Sequence, residues 1–323
     1  MSQTKSRLAV IVAAVGLALS LAACTSGVPT STATGSTKLK SITFVNPLPD
    51  YPAWKVIGEC MAKEAKKKGV TFTQSGQTGS AVDTTYMVNR IQQAIANKVG
   101  AILTFPTDAT EFDPLFTQAK KAGIYTGTVD SADPTTNDIN VGTSYTEYGK
   151  LAAETIAKKG GTQYVGLISA SAANNPFVIG FNDWLKAHPS SPIKLVDSRF
   201  DNGDPTQDNG LVNAMLTAHP NLNMFLTNEG AATSPIISVL KQNGLKGKVY
   251  LTTNSVYSGS VEGMQDGYVY AFLLQNMCGI GTDSIDSIVG YANGTVKNRN
   301  VATQILFATK GTYKKLTASG DFQ

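Results

Sequence analysis

Histidine and cysteine, the side chains most used for metal binding and for nucleophilic catalysis, are nearly absent from this 323-residue chain, which has 2 histidines and 3 cysteines. His188 and His219 each precede a proline at an apparent helix end. A Cys/His metal site therefore lacks ligands, and a Ser-His-Asp arrangement lacks its base. Basic clusters are short as well. Beyond Lys66-Lys67-Lys68, which end a helix just before Gly69 where cations suit the helix dipole, there is no cluster of Lys or Arg. No electrostatic footprint for nucleic acid follows. Phosphate loops are missing too. Gly76-Gln77-Thr78-Gly79 lacks the Lys-Ser/Thr ending and Gly279–Gly281 lacks the GxGxxG spacing. Both read as turns, and no cofactor is implied.

The apolar run that the chain does possess lies at its start. Lys5 and Arg7 form a basic n-region, and Leu8 to Leu21 an apolar h-region too short and too early to be a spanning helix of a mature protein. The run closes on Leu21-Ala22-Ala23-Cys24. This ending resembles a bacterial lipoprotein lipobox, in which the cysteine is diacylated and becomes the mature N-terminus. The alternative is an ordinary secretory signal with a chance cysteine. The resemblance makes residues 1–23 a signal peptide and Cys24 a lipidation site, and it places the rest of the chain outside the cytoplasm. Residues 25–37 (TSGVPTSTATGST) are mostly Ser, Thr, Gly and Pro without charge. Such a segment cannot bury enough surface to offset its ordering entropy, so residues 24–39 read as a flexible tether.

About 285 residues remain, which favours two lobes over one. Apolar content of 42% and charged content of 15% are those of a globular body with sizeable cores. The net charge of +4 includes Lys5 and Arg7. Cys60 and Cys278 are the two cysteines after Cys24; in an exported protein they invite a disulfide, against the alternative of two separate buried thiols.

Short β-rich runs alternate with helical patterns through the body. Strands are expected at 41–45, 70–74, 101–105, 124–129, 139–142, 164–169, 193–199, 223–226, 249–253, 268–274 and 301–307. Helices are expected at 54–68, 82–97, 113–122, 151–159, 177–187, 207–218, 234–242, 258–265 and 282–292. The alternation argues for parallel sheets with helices on both faces, and two such series argue for two α/β lobes. Ligands of open α/β sheets sit beyond the carboxyl ends of the strands.

The strand-to-helix loops and their flanks hold Asp50, Tyr51, Trp54, Phe105, Asp108, Asp130, Ser131, Asn174, Asn175, Asp201, Asn202, Asp204, Asn228, Glu229, Asn254 and Ser255. Aromatic faces suit the C–H surface of a sugar ring, and carboxylates and amides suit its hydroxyls. No loop sets a nucleophile beside a base, so an enzyme is not expected. Asp201 with Asp204 is a pair of carboxylates, but glycosidase chemistry also needs a fixed separation that spacing along the chain does not reveal.

Several pieces in collinear order carry a resemblance over about Lys40 to Phe307. They are Pro52 and Trp54 ahead of the helix that ends at Gly69, Phe105-Pro106-Thr107-Asp108, Asp130 ending its strand, Leu216-Thr217-Ala218-His219-Pro220, Asn228-Glu229 after Phe225, and Gln265-Asp266-Gly267 leading to Gln275. In these the chain resembles the type I periplasmic sugar-binding proteins, the group that includes ribose-binding protein. The resemblance implies two doubly wound parallel-sheet lobes joined by a three-stranded hinge. One lobe would comprise residues 40–144 with 276–302, the other residues 145–275 with 303–323. It further implies a solute-binding subunit of an ABC importer, a monomer that closes on a monosaccharide or sugar-like molecule and delivers it to a membrane permease coupled to an ATPase. A ligand-sensing subunit for chemotaxis or a sensor kinase is the second reading. A related repressor core would need a DNA-binding helix pair where this chain has its leader.

Carried over by position, Tyr51 and Trp54 would line the near wall, and Phe105 sits where the family places a polar residue. Asp130 matches an aspartate that bonds sugar hydroxyls, with Ser131 beside it. Asn175 falls where ribose binders carry an arginine, and Phe177 is nearby. Asp204 lies in a loop that usually contributes an aromatic. Asn228 matches an amide ligand, Ser255 falls where an aspartate is usual next to Asn254, and Gln275 matches a glutamine at the third crossover. Losing an arginine and an aspartate removes charge-assisted hydrogen bonds, so the pocket is more neutral and amide-rich than that of a ribose binder. Each assignment has a plainer counterpart: Asp130 as a turn cap, Asp204 as an N-cap, Trp54 and Phe105 as packing. Tyr86, Tyr145 and Tyr148 read as structural. In a doubly wound lobe the first helix and the helix after the last crossover can share a sheet face, and on that ground a Cys60–Cys278 disulfide is expected.

Overall fold

Parallel pairing sets the architecture. The computed structural model describes residues 38–318 and 322, apart from 80–81, 108, 132–134 and 171–174. The signal peptide, Cys24 and most of the tether, with Asp108 and Asn174, lie outside the described residues.

The first half runs β1 (Ser41–Val45), α1 (Pro52–Lys68), β2 (Thr71–Ser75), α2 (Thr84–Ala96), β3 (Ala101–Thr104), α3 (Ala109–Lys121), β4 (Tyr125–Val129) and β5 (Ile139–Gly142). The second runs α4 (Tyr145–Ala157), β6 (Gln163–Ser169), α5 (Pro176–Ala187), β7 (Ile193–Phe200), α6 (Asp208–Ala218), β8 (Met224–Thr227), α7 (Thr233–Gln242), β9 (Tyr250–Asn254), α8 (Ser260–Asp266) and β10 (Val269–Gln275). The chain then returns through α9 (Met277–Asn293) and β11 (Asn300–Ala302) before β12 (Ile305–Thr309) and α10 (Tyr313–Leu316).

One sheet has the order β11-β5-β4-β3-β1-β2 and the other β12-β10-β9-β8-β6-β7. Every pair in the first is parallel. In the second only β12, against β10, is antiparallel. Helices cover both faces, so central strands are buried on both sides, and β3 and β8 are apolar in all but their last residue. In β3, Ala101 and Leu103 enter the core under α1 and α9, while Ile102 enters the core under α2 and α3. In β8, Phe225 faces α6 and α7, and Met224 and Leu226 face α4 and α5.

Local chemistry explains the element ends. Helix α1 starts on Pro52, whose missing N–H is no loss in a first turn. It stops at Gly69, whose φ of 68° is a left-handed conformation that side chains disfavour. Ser144 accepts a hydrogen bond from the Glu147 N–H and Asn276 one from the Gly279 N–H. These caps move two helix starts upstream of expectation, α4 from 151 to Tyr145 and α9 from 282 to Met277. Gly279–Gly281 consequently lie inside α9 and form no turn. Gly281 there lets α9 approach α1 closely, since a methyl group at that position would lie 2.5 Å from the Ile57 carbonyl oxygen.

The expected terminal strand 301–307 is two strands, one in each sheet, with residues 303–304 crossing between them. β-propensity runs through both, and only pairing separates them. Two further crossings lie at residues 143–144 and at Asn276. Cys60 of α1 and Cys278 of α9 form a disulfide with Cα atoms 5.4 Å apart, across 218 residues of sequence. It ties the returning helix to the first, and a loop that long restricts the unfolded chain strongly. The double substitution Cys60→Ser/Cys278→Ser should lower the unfolding free energy in urea by about 2–5 kcal/mol. Reductant should bring the unmodified protein to the same midpoint; an unchanged midpoint would remove the bond from the account.

Candidate functional site

In each sheet the chain reverses its winding direction between two strands, β1 and β3 in the first and β6 and β8 in the second. A crevice forms outside the carboxyl ends at such switch points. The loop leaving β1 comes together with those leaving β8 and β9 across the two halves. The Tyr51 ring meets that of Tyr257 edge-on at 5.8 Å. A methyl group on Gly230 would lie 3.4 Å from the Tyr51 hydroxyl.

On the first side, Asn46 after β1 is fully buried; its amide donates to the Trp54 carbonyl at 3.1 Å and its Oδ1 accepts from the Leu48 N–H at 3.0 Å. This clamp shapes the loop that delivers Tyr51 and Trp54. Trp54 packs on Phe105 with centroids 5.6 Å apart and on Phe44 at 6.4 Å. The aromatics Tyr51, Trp54 and Phe105 are half-buried and line one wall.

Asp130 takes a left-handed φ of 62° directly after β4. Its carboxylate accepts from the Gln275 amide at 2.9 Å and the Thr143 hydroxyl at 3.4 Å, while Gln275 also reaches the Thr143 hydroxyl at 2.5 Å. Gln275 ends β10 of the second sheet, so this buried triad bridges two crossings. Gly142 makes room for it: a methyl group there would lie 2.4 Å from the Asp130 Cα. Burial pushes Asp130 up to about 7 against those two hydrogen bonds. Ser131 follows, its carbonyl accepting from Thr128.

On the second side, Asn175 caps α5 through the Phe177 N–H and donates to Ser169 at the end of β6 at 3.2 Å. Asn254 at the end of β9 donates to the Asn228 carbonyl at 3.2 Å, and Asn228 is 9% exposed. The Ser255 hydroxyl is 4% exposed and accepts from the Tyr257 N–H, shaping the turn that presents that tyrosine. Two of the residues expected in the site stand elsewhere. Phe177 is fully buried against Tyr148, 4.7 Å between ring centroids, and is a core residue, because it lies on the face of α5 that packs against α4. Asp204 is exposed and caps the short 3-10 turn Pro205–Gln207, with its carboxylate on Thr206 and Gln207.

The sequence reading left several residues out of the site. Glu229, Asp201 and Asp208 form an acidic group, and Tyr257 adds an aromatic. Burial, then the charges of Asp201 and Asp208, push Glu229 up to about 8. Burial, then Asp201, push Asp208 up to about 7. Asp208 was invisible because it falls in the first turn of an amphipathic helix, where a carboxylate is ordinary. Tyr257 and Glu229 lay in strand-end loops already singled out. Among the described residues no three His, Cys, Asp or Glu side chains converge closely enough to hold a metal ion. A cavity of about 460 Å³ lined by Lys246, Tyr250, Tyr270 and Lys310 lies at the opposite, amino-terminal ends of β9 and β10, away from these groups.

This arrangement defines a class: two doubly wound sheets of parallel strands whose switch-point crevices meet at one polar and aromatic cleft. Residues 42–295 match the model for the periplasmic binding protein domain. The chain belongs to that family of binding proteins. Its fold is shared with solved structures of low identity. A glucose-galactose binding protein from Geobacillus stearothermophilus is 21% identical with a TM-score of 0.78, covering 85% of this chain and 99% of its own. A periplasmic ribose ABC transporter protein from Conexibacter woesei is 17% identical with a TM-score of 0.75, covering 88% and 96%. An ABC transporter solute-binding protein from Agrobacterium vitis with bound D-fucose is 21% identical with a TM-score of 0.74, covering 87% and 99%. No curated protein sequence matches the chain significantly.

The raised carboxyls have a consequence for the ligand-free protein. From their ordinary values of 3.8 and 4.5 up to about 7 and about 8, the native state holds protons on Asp130, Asp208 and Glu229 that the unfolded chain has released. Stability therefore falls as pH rises through that window. Burial also pushes on Asp197, but Arg199, the Ser198 N–H and His219 overcome it and hold that carboxyl below 3.8, outside the window. Calorimetry of the ligand-free chain should show the melting temperature dropping between about pH 5 and 8, with Glu229→Gln flattening the upper part. A melting temperature that climbs across this window would contradict the buried placement of these groups.

Proposed function

We propose that this protein is an extracytoplasmic solute-binding lipoprotein of an ABC importer, which traps a monosaccharide or sugar-like molecule between two lobes and hands it to a membrane permease. The observation that carries the reading is the meeting of two switch-point crevices, one lined by Tyr51, Trp54 and Phe105 and the other by Asn175, Asn228, Asn254 and Glu229. Flat aromatic faces cover the C–H surfaces of a pyranose or furanose, and amides and carboxylates bond its hydroxyls. The names of the glucose-galactose, ribose and D-fucose neighbours support the same ligand class.

The mechanism follows from where the chain crosses. The chain crosses between the sheets at residues 143–144, 276 and 303–304, and on this reading the lobes are 40–144 with 276–302 and 145–275 with 303–323. A ligand that touches both lobes binds the closed state better than the open one, and closure is driven by that difference alone. Asp130 and Gln275 sit at the hinge, so a hydroxyl seated on Asp130 would couple occupancy to the lobe angle. The closed surface would then be read by the permease. The sensory alternative uses the same closure with a different listener, and the genes beside this one would tell the two apart.

A thermal-shift screen of pentoses, hexoses, deoxysugars and polyols tests the reading. A binder at about 100 times its Kd adds about 2.7 kcal/mol of stability. Asp130→Ala and Asn228→Ala should each weaken that ligand about tenfold or more. Amino acids or peptides shifting the melt while no sugar does would overturn the ligand class, and turnover of a bound sugar would overturn the binding role. For the anchor, Cys24→Ala should move the protein made in its own cell type from the detergent phase to the aqueous phase, since a diacyl chain gives stable membrane attachment. An unchanged partition would reject lipidation at Cys24.

A further inference from the structure

The carboxyl edge of the second sheet carries an imbalance that a neutral sugar does not answer. Asp201 Oδ2, both carboxylate oxygens of Asp208, Asn228 Oδ1, Glu229 Oε1 and Asn254 Oδ1 are all buried without a protein hydrogen-bond partner. Asp201 and Asp208 are fully buried. Every one of these atoms is an oxygen, an acceptor unless its carboxyl holds a proton as those of Asp208 and Glu229 do in the ligand-free state, and among the described residues no side-chain nitrogen is buried without a partner. No Lys, Arg or His ion pair among the described residues reaches Asp201, Asp208 or Glu229. A proton shared between Asp201 and Asp208 satisfies one oxygen of each. The rest still require donors. Burying acceptors and negative charge without either costs free energy that a ligand recovers on binding.

The set lies beside the cleft. Asn228 and Glu229 immediately precede Gly230, the residue facing the Tyr51 hydroxyl, and the Asn254 carbonyl lies 3.9 Å from the same point. A sugar hydroxyl donates one hydrogen bond and accepts others, so hydroxyls placed here leave their own oxygens facing oxygens. An ammonium group donates three and accepts none, and it supplies the missing positive charge. The nearby Tyr51 and Tyr257 rings suit a cation as well. The carboxylates do not converge as metal ligands do.

We infer that the ligand carries a protonated amine, seated against Glu229, the Asp201–Asp208 pair and the amide oxygens of Asn228 and Asn254, so that the substrate class is an amino sugar or amino polyol. This rests on the solute-trap reading above. The raised pKa of Glu229 fits it, since a cation beside the carboxyl would restore the ionised form.

Isothermal titration of the mature chain with matched pairs decides the matter: D-glucosamine with D-glucose, D-galactosamine with D-galactose, and D-mannosamine with D-mannose, and N-acetyl-D-glucosamine as an uncharged analogue. At least one amino sugar should bind about tenfold or more tighter than its parent, and acetylation should abolish the gain. The ratio should shrink in Glu229→Gln and in Asp208→Asn. If either variant fails to fold, the ratio in the unmodified chain still decides. A neutral parent that binds as tightly as its amine overturns this inference and leaves the sugar reading intact. Ethanolamine or putrescine binding where no sugar does overturns the sugar reading and keeps the cationic subsite. Silence from every amine and every sugar overturns both.

Discussion

Parallel strand pairing is the constraint from which the rest of this molecule follows. Parallel neighbours need a crossover between them, so most strands are followed by a helix, and each sheet is covered on both faces. Side chains of the central strands are then buried on both sides, as in Ala101-Ile102-Leu103 and Met224-Phe225-Leu226. Charged groups are expelled to the strand ends. Because the parallel strands of a half point the same way, their carboxyl ends assemble one edge of loops, and the two edges meet at Tyr51, Gly230 and Tyr257.

The crossing region joins the two sheets through side chains as well as backbone. Gln275 donates to Asp130 and to Thr143, residues 145 and 132 positions away in sequence. A carboxyl in that place is costly to ionise, and its hydrogen bonds offset only part of the cost. Burial likewise raises Glu229 and Asp208, both of which stand near the Asp201 carboxylate. Natural cores rarely keep buried acceptors without partners, and here they gather at one strand edge beside the cleft. The proposed ligand contact rests on their clustering more than on the aromatics, since half-buried aromatics also serve packing.

The limits of sequence reading show in particular residues. The positions of Asp130 and Asn228, each directly after a strand, were legible from the strand pattern, and their contact with a ligand belongs to the proposal. Phe177 and Asp204 were misplaced in the cleft. Both lie close to cleft residues along the chain, but packing of α5 on α4 takes one inward, and a tight turn keeps the other at the surface. Asp208 escaped notice because a carboxylate in a first helical turn needs no special explanation, and nothing local says that this turn is buried beneath Asp201 and Glu229. The single expected strand at 301–307 failed for the same reason. Its residues favour β structure throughout, and only pairing with β5 and with β10 divides it.

Periodicity and the alternation of strand with helix determined the fold class, the two series and the loops worth examining, because burial on both faces of a parallel sheet writes itself into local composition. A glycine after α1 and a proline at its start determined that helix's ends for local steric reasons. Tertiary structure alone decided which loops share an edge, that Cys60 lies beside Cys278, and that acceptors from β7, β8, β9 and the start of α6 gather without donors. Those are relations between residues distant along the chain. They depend on sheet order and on exclusion of water, and neither quantity is carried by any single segment.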